Sequence, residues 1–353
     1  METIRLKGID LPVSRLCAGG CPAGEYGWGQ VDHDQIEGAL RRAFECGVNF
    51  FDTADTYGLG RSESNIGQAL RDVRDRVIIA SKFGVRVENG RTFYDNSPAY
   101  IDRALAASLK RLNTDYIDLY QVHYLDGVTP VDEMMEALLR HKRAGRIGAV
   151  GLSNVTPAQA ASFIPYRDHV ASFQNHYSLA HRDDEAAMLE TARLLDAAPL
   201  TWGSLGQGIL TGKYGADVHF EKDDRRSRAV YDNFYGDKLR RNLRIVDVMR
   251  PIAQAHGVSV AAVAVRWILD HLPQSAVIAG MKSPAQAEAN AIALTFRLTQ
   301  DEVAALEAAS RDSYARSEQK RKRTRPFSGA SSLCLASSIT DTGSSDPRHN
   351  PVR

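Results

Sequence analysis

The segment FFDTADTYG sets a carboxylate, Asp52, at the end of an apolar run and a phenol, Tyr57, five residues further on. Downstream, ASKFG carries Lys82 and YQVHYLD carries His123. An unperturbed phenol has a pKa of about 10, too high for ready donation at neutral pH. An ammonium beside it stabilises phenolate and lowers that value; Lys82 is the candidate. A buried ammonium needs a partner, and Asp52 supplies one. An imidazole at position 123 can direct a carbonyl oxygen towards Tyr57. The set describes a general acid tuned towards the working pH. It is the proton half of a carbonyl reduction, in which oxygen takes a proton while carbon takes hydride.

These residues need a frame. Short apolar runs read as strands over Ser14–Gly19, Asn49–Ala54, Val77–Phe83, Tyr116–His123, Ala149–Asn154, Ser172–Tyr177, Leu200–Leu205 and Ala276–Gly280. Amphipathic helical stretches lie between them, marked for example by Ile36, Leu40, Ala43 and Phe44. Repeated strand–helix alternation implies a parallel sheet with right-handed crossovers. Eight such units favour an α/β protein built as a single closed (β/α)8 barrel; an open doubly wound sheet is the alternative. In a barrel, chemistry gathers at the carboxyl ends of the strands. Asp52, Lys82, His123, Ser153 and Asn154 (GLSN), Gln174 (FQNHY) and Trp202 all fall at such ends. Any one of them has an ordinary structural explanation; their recurrence on one rim does not.

The chain has 353 residues, 43% hydrophobic and 25% charged, with a net charge of +1. That balance gives no electrostatic reason to expect nucleic acid or an anionic membrane as partner. No apolar run approaches the ~20 residues that span a bilayer, and the N-terminus lacks a signal peptide's apolar core. A cytoplasmic location is therefore expected. Cys17, Cys21, Cys46 and Cys334 show no second Cys/His pair to complete a zinc site. They read as reduced thiols, and no metal is expected. The connection from Leu205 to the helix near Val260 is too long for a barrel turn. Its Gly-rich opening and charge cluster fit a loop over a ligand, followed by a helix over Asn242–His256. From residue 313 to 353 periodicity vanishes. Ser, Arg, Gly and Pro dominate, KRKRTR included, and the segment reads as a disordered tail after a barrel domain of residues 1–312.

FDTADTYG with the following SE, then ASKFG, QVHYLD, GLSN, FQNHYS and GQGILTGKY, occur in the order and spacing of the aldo-keto reductases, which the chain resembles over about residues 4 to 310. The resemblance implies a TIM barrel that binds NADP(H), with NAD(H) as the alternative, and interconverts aldehydes or ketones with alcohols. It places Asp52, Tyr57, Lys82 and His123 on the family's catalytic tetrad. Ser153, Asn154 and Gln174 fall where the family holds the nicotinamide carboxamide, and Trp202 where an aromatic ring stacks on the nicotinamide. Leu205, Gly206, Gly208, Leu210 and Lys213 match the loop crossing the pyrophosphate. Lys282 and Ser283 match the 2′-phosphate contacts, with Gln286 and Asn290 near the adenine. Three departures stand out. Gly203-Ser204 replaces a common Ser-Pro, Ala289 replaces an acidic residue before the Asn, and Gln286 stands where many members carry Arg.

Two decoys fall away. GLGRSE lacks the third glycine of a dinucleotide fingerprint, and GILTGKY is one residue short of a phosphate loop, with Tyr214 in place of the Mg²⁺-binding hydroxyl. The expected partner is a small carbonyl compound. Tyr26, Trp28, Phe93, Tyr94, Tyr124, Phe220, Tyr231, Phe234 and Tyr235 are candidate pocket walls. Asp95, Asn96 and Asp126 could bind hydroxyls, which tilts the expectation towards a sugar. Two other classes compete. A metal-dependent barrel hydrolase needs clustered ligands that His123 lacks. A regulatory barrel resembling potassium-channel β subunits would keep the site and act as a binding partner.

Overall fold

The computed structural model describes residues 2–311 other than Tyr26, Gln30 and Gly90. The expected tail (313–353), Cys334 and the Tyr26 pocket wall lie outside the described residues.

Eight parallel strands close into a barrel: β1 (Leu16–Gly19), β2 (Phe50–Asp52), β3 (Ile78–Phe83), β4 (Ile117–Val122), β5 (Ile147–Ser153), β6 (Val170–His176), β7 (Ala198–Trp202) and β8 (Ala276–Gly280). Each pairs with its sequence neighbours, and β8 returns to β1. The chain is a (β/α)8 TIM barrel, and the doubly wound alternative is excluded by this closure.

Side chains alternate across each strand. Cys17, Phe50, Ile78, Ala80, Leu119, Ala149, Leu200 and Ile278 point inwards and form one apolar cluster. Ile4, Leu6, Ile9 and Val13, from a hairpin pairing Thr3–Ile4 with Val13–Ser14, close its amino end. The intervening residues, such as Phe51, Ile79, Tyr120, Val150 and Phe173, pack outwards against the helices. Continuing the inward parity by one step reaches Asp52, Lys82, Gln121 and Trp202. The alternation that fills the barrel therefore also delivers polar groups to its carboxyl mouth.

The helices are α1 (His33–Glu45), α2 (Arg61–Leu70), α3 (Pro98–Leu112), α4 (Val131–Arg143), α5 (Pro157–Ala161), α6 (Glu185–Leu195), α7 (Gly236–His256), α8 (Val260–His271) and α9 (Pro284–Ala291). Their starts follow local chemistry. Asp32, Ser97, Thr156, Ser259 and Ser283 each accept a backbone N–H from the first turn. Residues 300–311 form a last helix. Among the described residues, no single helix is long and apolar enough to cross a membrane.

Two departures from expectation concern connections. A hairpin pairing Val85–Glu88 with Arg91–Tyr94 stands at the mouth after β3. Helix α7 starts at Gly236, not Asn242, and its first turns already bury Leu239, Arg241 and Asn242, the last donating to the Asn233 carbonyl at 3.1 Å.

Candidate active site

Asp52 is the last residue of β2, and Lys82 lies near the end of β3. Lys82 Nζ donates to Asp52 Oδ1 at 2.6 Å, to the Thr53 carbonyl at 2.9 Å and to Tyr57 Oη at 3.3 Å. The other Asp52 oxygen accepts from Gln121 Nε2 at 3.1 Å and Gln174 Nε2 at 2.8 Å. A buried ion pair is tolerable when its remaining lone pairs and protons are satisfied, and here both partners are.

Tyr57 sits on a tight turn, its N–H donating to the Ala54 carbonyl at 3.1 Å. Gly24 packs so close that a Cβ there would lie 2.7 Å from the Tyr57 carbonyl carbon. The loop after β1 thus packs directly against this turn. The His123 ring stands edge-on to the Tyr57 ring, centroids 6.0 Å apart, and stacks on Tyr124 at 5.1 Å. The structure therefore brings all four predicted residues to one mouth.

The electrostatics correct one expectation. Burial, followed by the Asp52 charge, pushes the Tyr57 phenol well above its ordinary range, where Lys82 was expected to lower it. Loss of hydration is the larger cause and the Asp52 charge adds to it, so the buried phenol keeps its proton in the resting site. Burial, then the Lys82 charge, holds His123 well below the ordinary imidazole range. At neutral pH the site presents a protonated phenol and a neutral imidazole.

The expected cofactor residues divide into two groups. Ser153, Asn154 and Gln174 are engaged internally. Ser153 Oγ donates to the Gln174 carbonyl at 3.1 Å. Asn154, at φ 56°, donates to the His123 carbonyl and accepts from Trp202 Nε1, both at 3.1 Å. The amide nitrogen of Gln174 is committed to Asp52. Leu210 is buried in the outer core, so only its backbone can face a ligand. Leu205 is partly buried, while Gly206, Gln207 and Gly208 run through positive φ (57°, 56° and 107°) along a short turn helix, Gly206–Thr211. Lys213 is exposed beyond it. Ser283 caps α9, Gln286 Oε1 accepts from the Lys282 N–H at 2.9 Å, and Asn290 Nδ2 donates to the Gly280 carbonyl at 3.4 Å. Lys282 Nζ donates to the Trp28 carbonyl at 2.9 Å.

Several participants were missed. Gln121, two residues before His123 and of the same parity, seats Asp52; strand alternation alone could have found it. Arg226 pairs with Asp224 at 2.6 Å and donates to Tyr214 Oη at 2.6 Å. The Arg225 N–H next door donates to the Gly27 carbonyl at 3.0 Å, folding this loop down onto the one after β1. No local signal marks that contact.

Some expected pocket residues do other work. Phe234 is buried and packs edge-on against Phe220 at 4.8 Å. Asp126 accepts from the N–H groups of Asn96, Val128 and Thr129, Asn96 Oδ1 accepts from the Asp126 N–H, and Asp95 accepts from Ser97 and Arg86. These groups hold the rim loops, so the tilt towards a sugar loses its structural basis.

The Aldo/keto reductase family model matches residues 15–311. The aldo-keto reductase YhdN of Bacillus subtilis (strain 168) is 34% identical over 292 residues, 82% of this chain and 87% of that one. The glycerol dehydrogenase AKR11B4 from Gluconobacter oxydans aligns with a TM-score of 0.78 at 33% identity, covering 94% of this chain and 99% of that one. An aldo/keto reductase from Klebsiella pneumoniae, solved in complex with NADP and acetate, gives 0.67 at 26% identity, covering 87% and 94%. Because the matched span reaches from the first barrel strand to the last described helix, the chain belongs to the aldo/keto reductase family.

Proposed function

We propose that the chain interconverts an aldehyde or ketone and its alcohol with NADP(H), Tyr57 being the proton donor in the reducing direction. The observation that carries this reading is the Asp52–Lys82–Tyr57 line, 2.6 Å and 3.3 Å long, at the barrel mouth.

The residues around the mouth fit a dinucleotide. The partly exposed Trp202 ring offers a stacking face on the rim. The positive-φ run at Gly206–Gly208 permits close backbone approach. Lys213, Arg226 and Lys282 supply cations for phosphate oxygens; Arg226 and Lys213 act electrostatically on Lys282, so the three share one region. When bound there, the nicotinamide supplies hydride to the carbonyl carbon or accepts it from the alcohol.

The protein's own part is positional and electrostatic. Tyr57 holds its proton until negative charge develops on the carbonyl oxygen. The 3.3 Å contact with Lys82 then stabilises the phenolate as it forms. Asp52 keeps the ammonium charged and aimed, and Gln121 and Gln174 fix Asp52. A neutral His123 directs the oxygen without competing as an acid. Lys282 favours NADPH over NADH, since its charge suits a 2′-phosphate.

A panel of aldehydes and ketones, with loss of reduced nicotinamide followed for NADPH and NADH, tests the reading. Turnover of at least one carbonyl with NADPH is expected. No turnover across the panel, with neither nicotinamide binding, would overturn it.

A further inference from the structure

Trp202 has a ring behind it. The indole lies on the His176 imidazole, centroids 4.3 Å apart and planes 11° apart, and His176 lies in turn on His181, at 4.0 Å and 13°. The register creates the first contact, because His176 and Trp202 are direct cross-strand partners on β6 and β7. The strand ends are tied further on, where the Tyr177 N–H donates to the Trp202 carbonyl at 3.1 Å. Ser178 and His181 exchange backbone hydrogen bonds of 3.0 and 2.9 Å, which fixes the turn carrying the third ring.

We infer that His176 is a positioning residue for the nicotinamide: its imidazole backs the Trp202 indole, with His181 behind it, and so sets the tilt and height of the indole's opposite face. This rests on the reading of Trp202 as the nicotinamide platform.

Three observations converge on it. First, the stack explains the sequence departure after Trp202. Gly203 adopts φ +67°, and a Cβ there would lie 2.5 Å from His176 Cδ2 and 2.6 Å from Nε2. A serine at that position would displace the imidazole, so the glycine and the stacked histidine belong together. Ser204 then closes the turn, donating to the Thr201 carbonyl at 2.9 Å. Second, His176 Nε2 is buried and has no hydrogen-bond partner among the described residues, while its ring stacks on both Trp202 and His181. Third, burial, with the nearby His181 and Lys238 charges, holds His176 well below the ordinary imidazole range. The platform therefore stays uncharged beneath a ring whose own charge changes with oxidation state. The indole's edge is fixed independently through Nε1 and Asn154, so face and edge are both set.

The test is calorimetric titration of the full chain and its His176→Ala and His176→Phe variants with two probes. One is NADPH; the other is adenosine 2′,5′-bisphosphate, which has no nicotinamide. His176→Ala is expected to weaken NADPH on the order of three- to tenfold, the scale of one aromatic stacking contact. The bisphosphate should bind all three proteins within about twofold, and His176→Phe should return NADPH to within about twofold of the wild type. Unchanged NADPH binding in His176→Ala overturns the inference. So does an equal loss for both probes, which marks general loosening, or a failure of His176→Phe to restore NADPH while the bisphosphate stays tight. A wild-type chain that binds neither probe instead overturns the NADP(H) reading, and this inference with it.

Discussion

Lys82 Nζ stands 2.6 Å from Asp52 Oδ1, with the two side chains 0% and 3% exposed. The pair is held deep in the barrel mouth, where an orphaned charge is expensive. Lys82→Met leaves the Asp52 carboxylate with only two amide donors. The expected loss is about 3–5 kcal/mol of stability, since breaking a buried pair strands one charge. Adding Asp52→Asn to that variant should recover part of it. Urea unfolding read by far-ultraviolet dichroism checks this; a Lys82→Met midpoint equal to wild type would show that the pair is not desolvated.

Tyr57→Phe removes one oxygen and keeps the ring against His123. On the proposed mechanism kcat falls by roughly 10²–10⁴-fold, the usual worth of a placed general acid. Affinity for NADPH should stay within about twofold, because stacking and phosphate contacts are untouched. Steady-state rates beside calorimetric binding separate the two. A variant retaining half the wild-type kcat would remove Tyr57 from the donor role.

The frame and two of the four central groups, Asp52 and Lys82, were legible because they depend on period-two alternation, a local property; Tyr57, on the turn after β2, and His123, just past β4, were legible from their motifs. All eight strands overlap the apolar runs expected for them, four trimmed within those runs, β5, β6 and β7 each starting two residues earlier and ending sooner, and β8 with the expected bounds. Asp52 and Lys82 inherit their direction from Phe50 and Ala80. What was not legible depends on partners distant in sequence. The Arg225 N–H meets the Gly27 carbonyl across nearly two hundred residues, and nothing near Arg225 announces it. Asp126 and Asn96 looked like hydroxyl binders because their side chains can do that; only the fold shows that they satisfy each other's backbone. The direction of the Tyr57 shift was missed for a related reason. Proximity to Lys82 was readable, but the depth of burial that outweighs it was not.

Stability should fall in mild acid, with His123 among the causes. Its folded-state pKa is depressed by burial and by Lys82, against an unfolded value of about 6.5. Below that value the unfolded chain takes up a proton that the folded one refuses, so stability drops as pH falls from about 6.5 towards the folded pKa. Above about 6.5 the contribution is complete and flat. The slope per such histidine is at most about 1.4 kcal/mol per pH unit. His176 contributes with the same sign. Urea midpoints of wild type, His123→Asn and His176→Phe between about pH 7.5 and 5 measure this, and each variant should show a shallower acid limb. Parallel curves for all three would mean that neither imidazole is held neutral by the fold.

Lys282 carries the cofactor preference. Its ammonium is half-buried, donates to the Trp28 carbonyl at 2.9 Å, and has its pKa lowered by burial and then by the Arg226 charge. A half-buried cation whose charged form is disfavoured by burial gains when an anion arrives beside it, and a 2′-phosphate brings charge that NADH lacks. Lys282→Ala should therefore weaken NADPH by roughly tenfold or more, the worth of one charge-assisted hydrogen bond, while NADH changes by about twofold or less. Comparing the two dissociation constants by calorimetry isolates the phosphate, because everything else in the cofactors is identical. Equal losses for NADPH and NADH would assign Lys282 to holding the Trp28 loop in place, leaving Arg226 and Lys213 as the cations to test next.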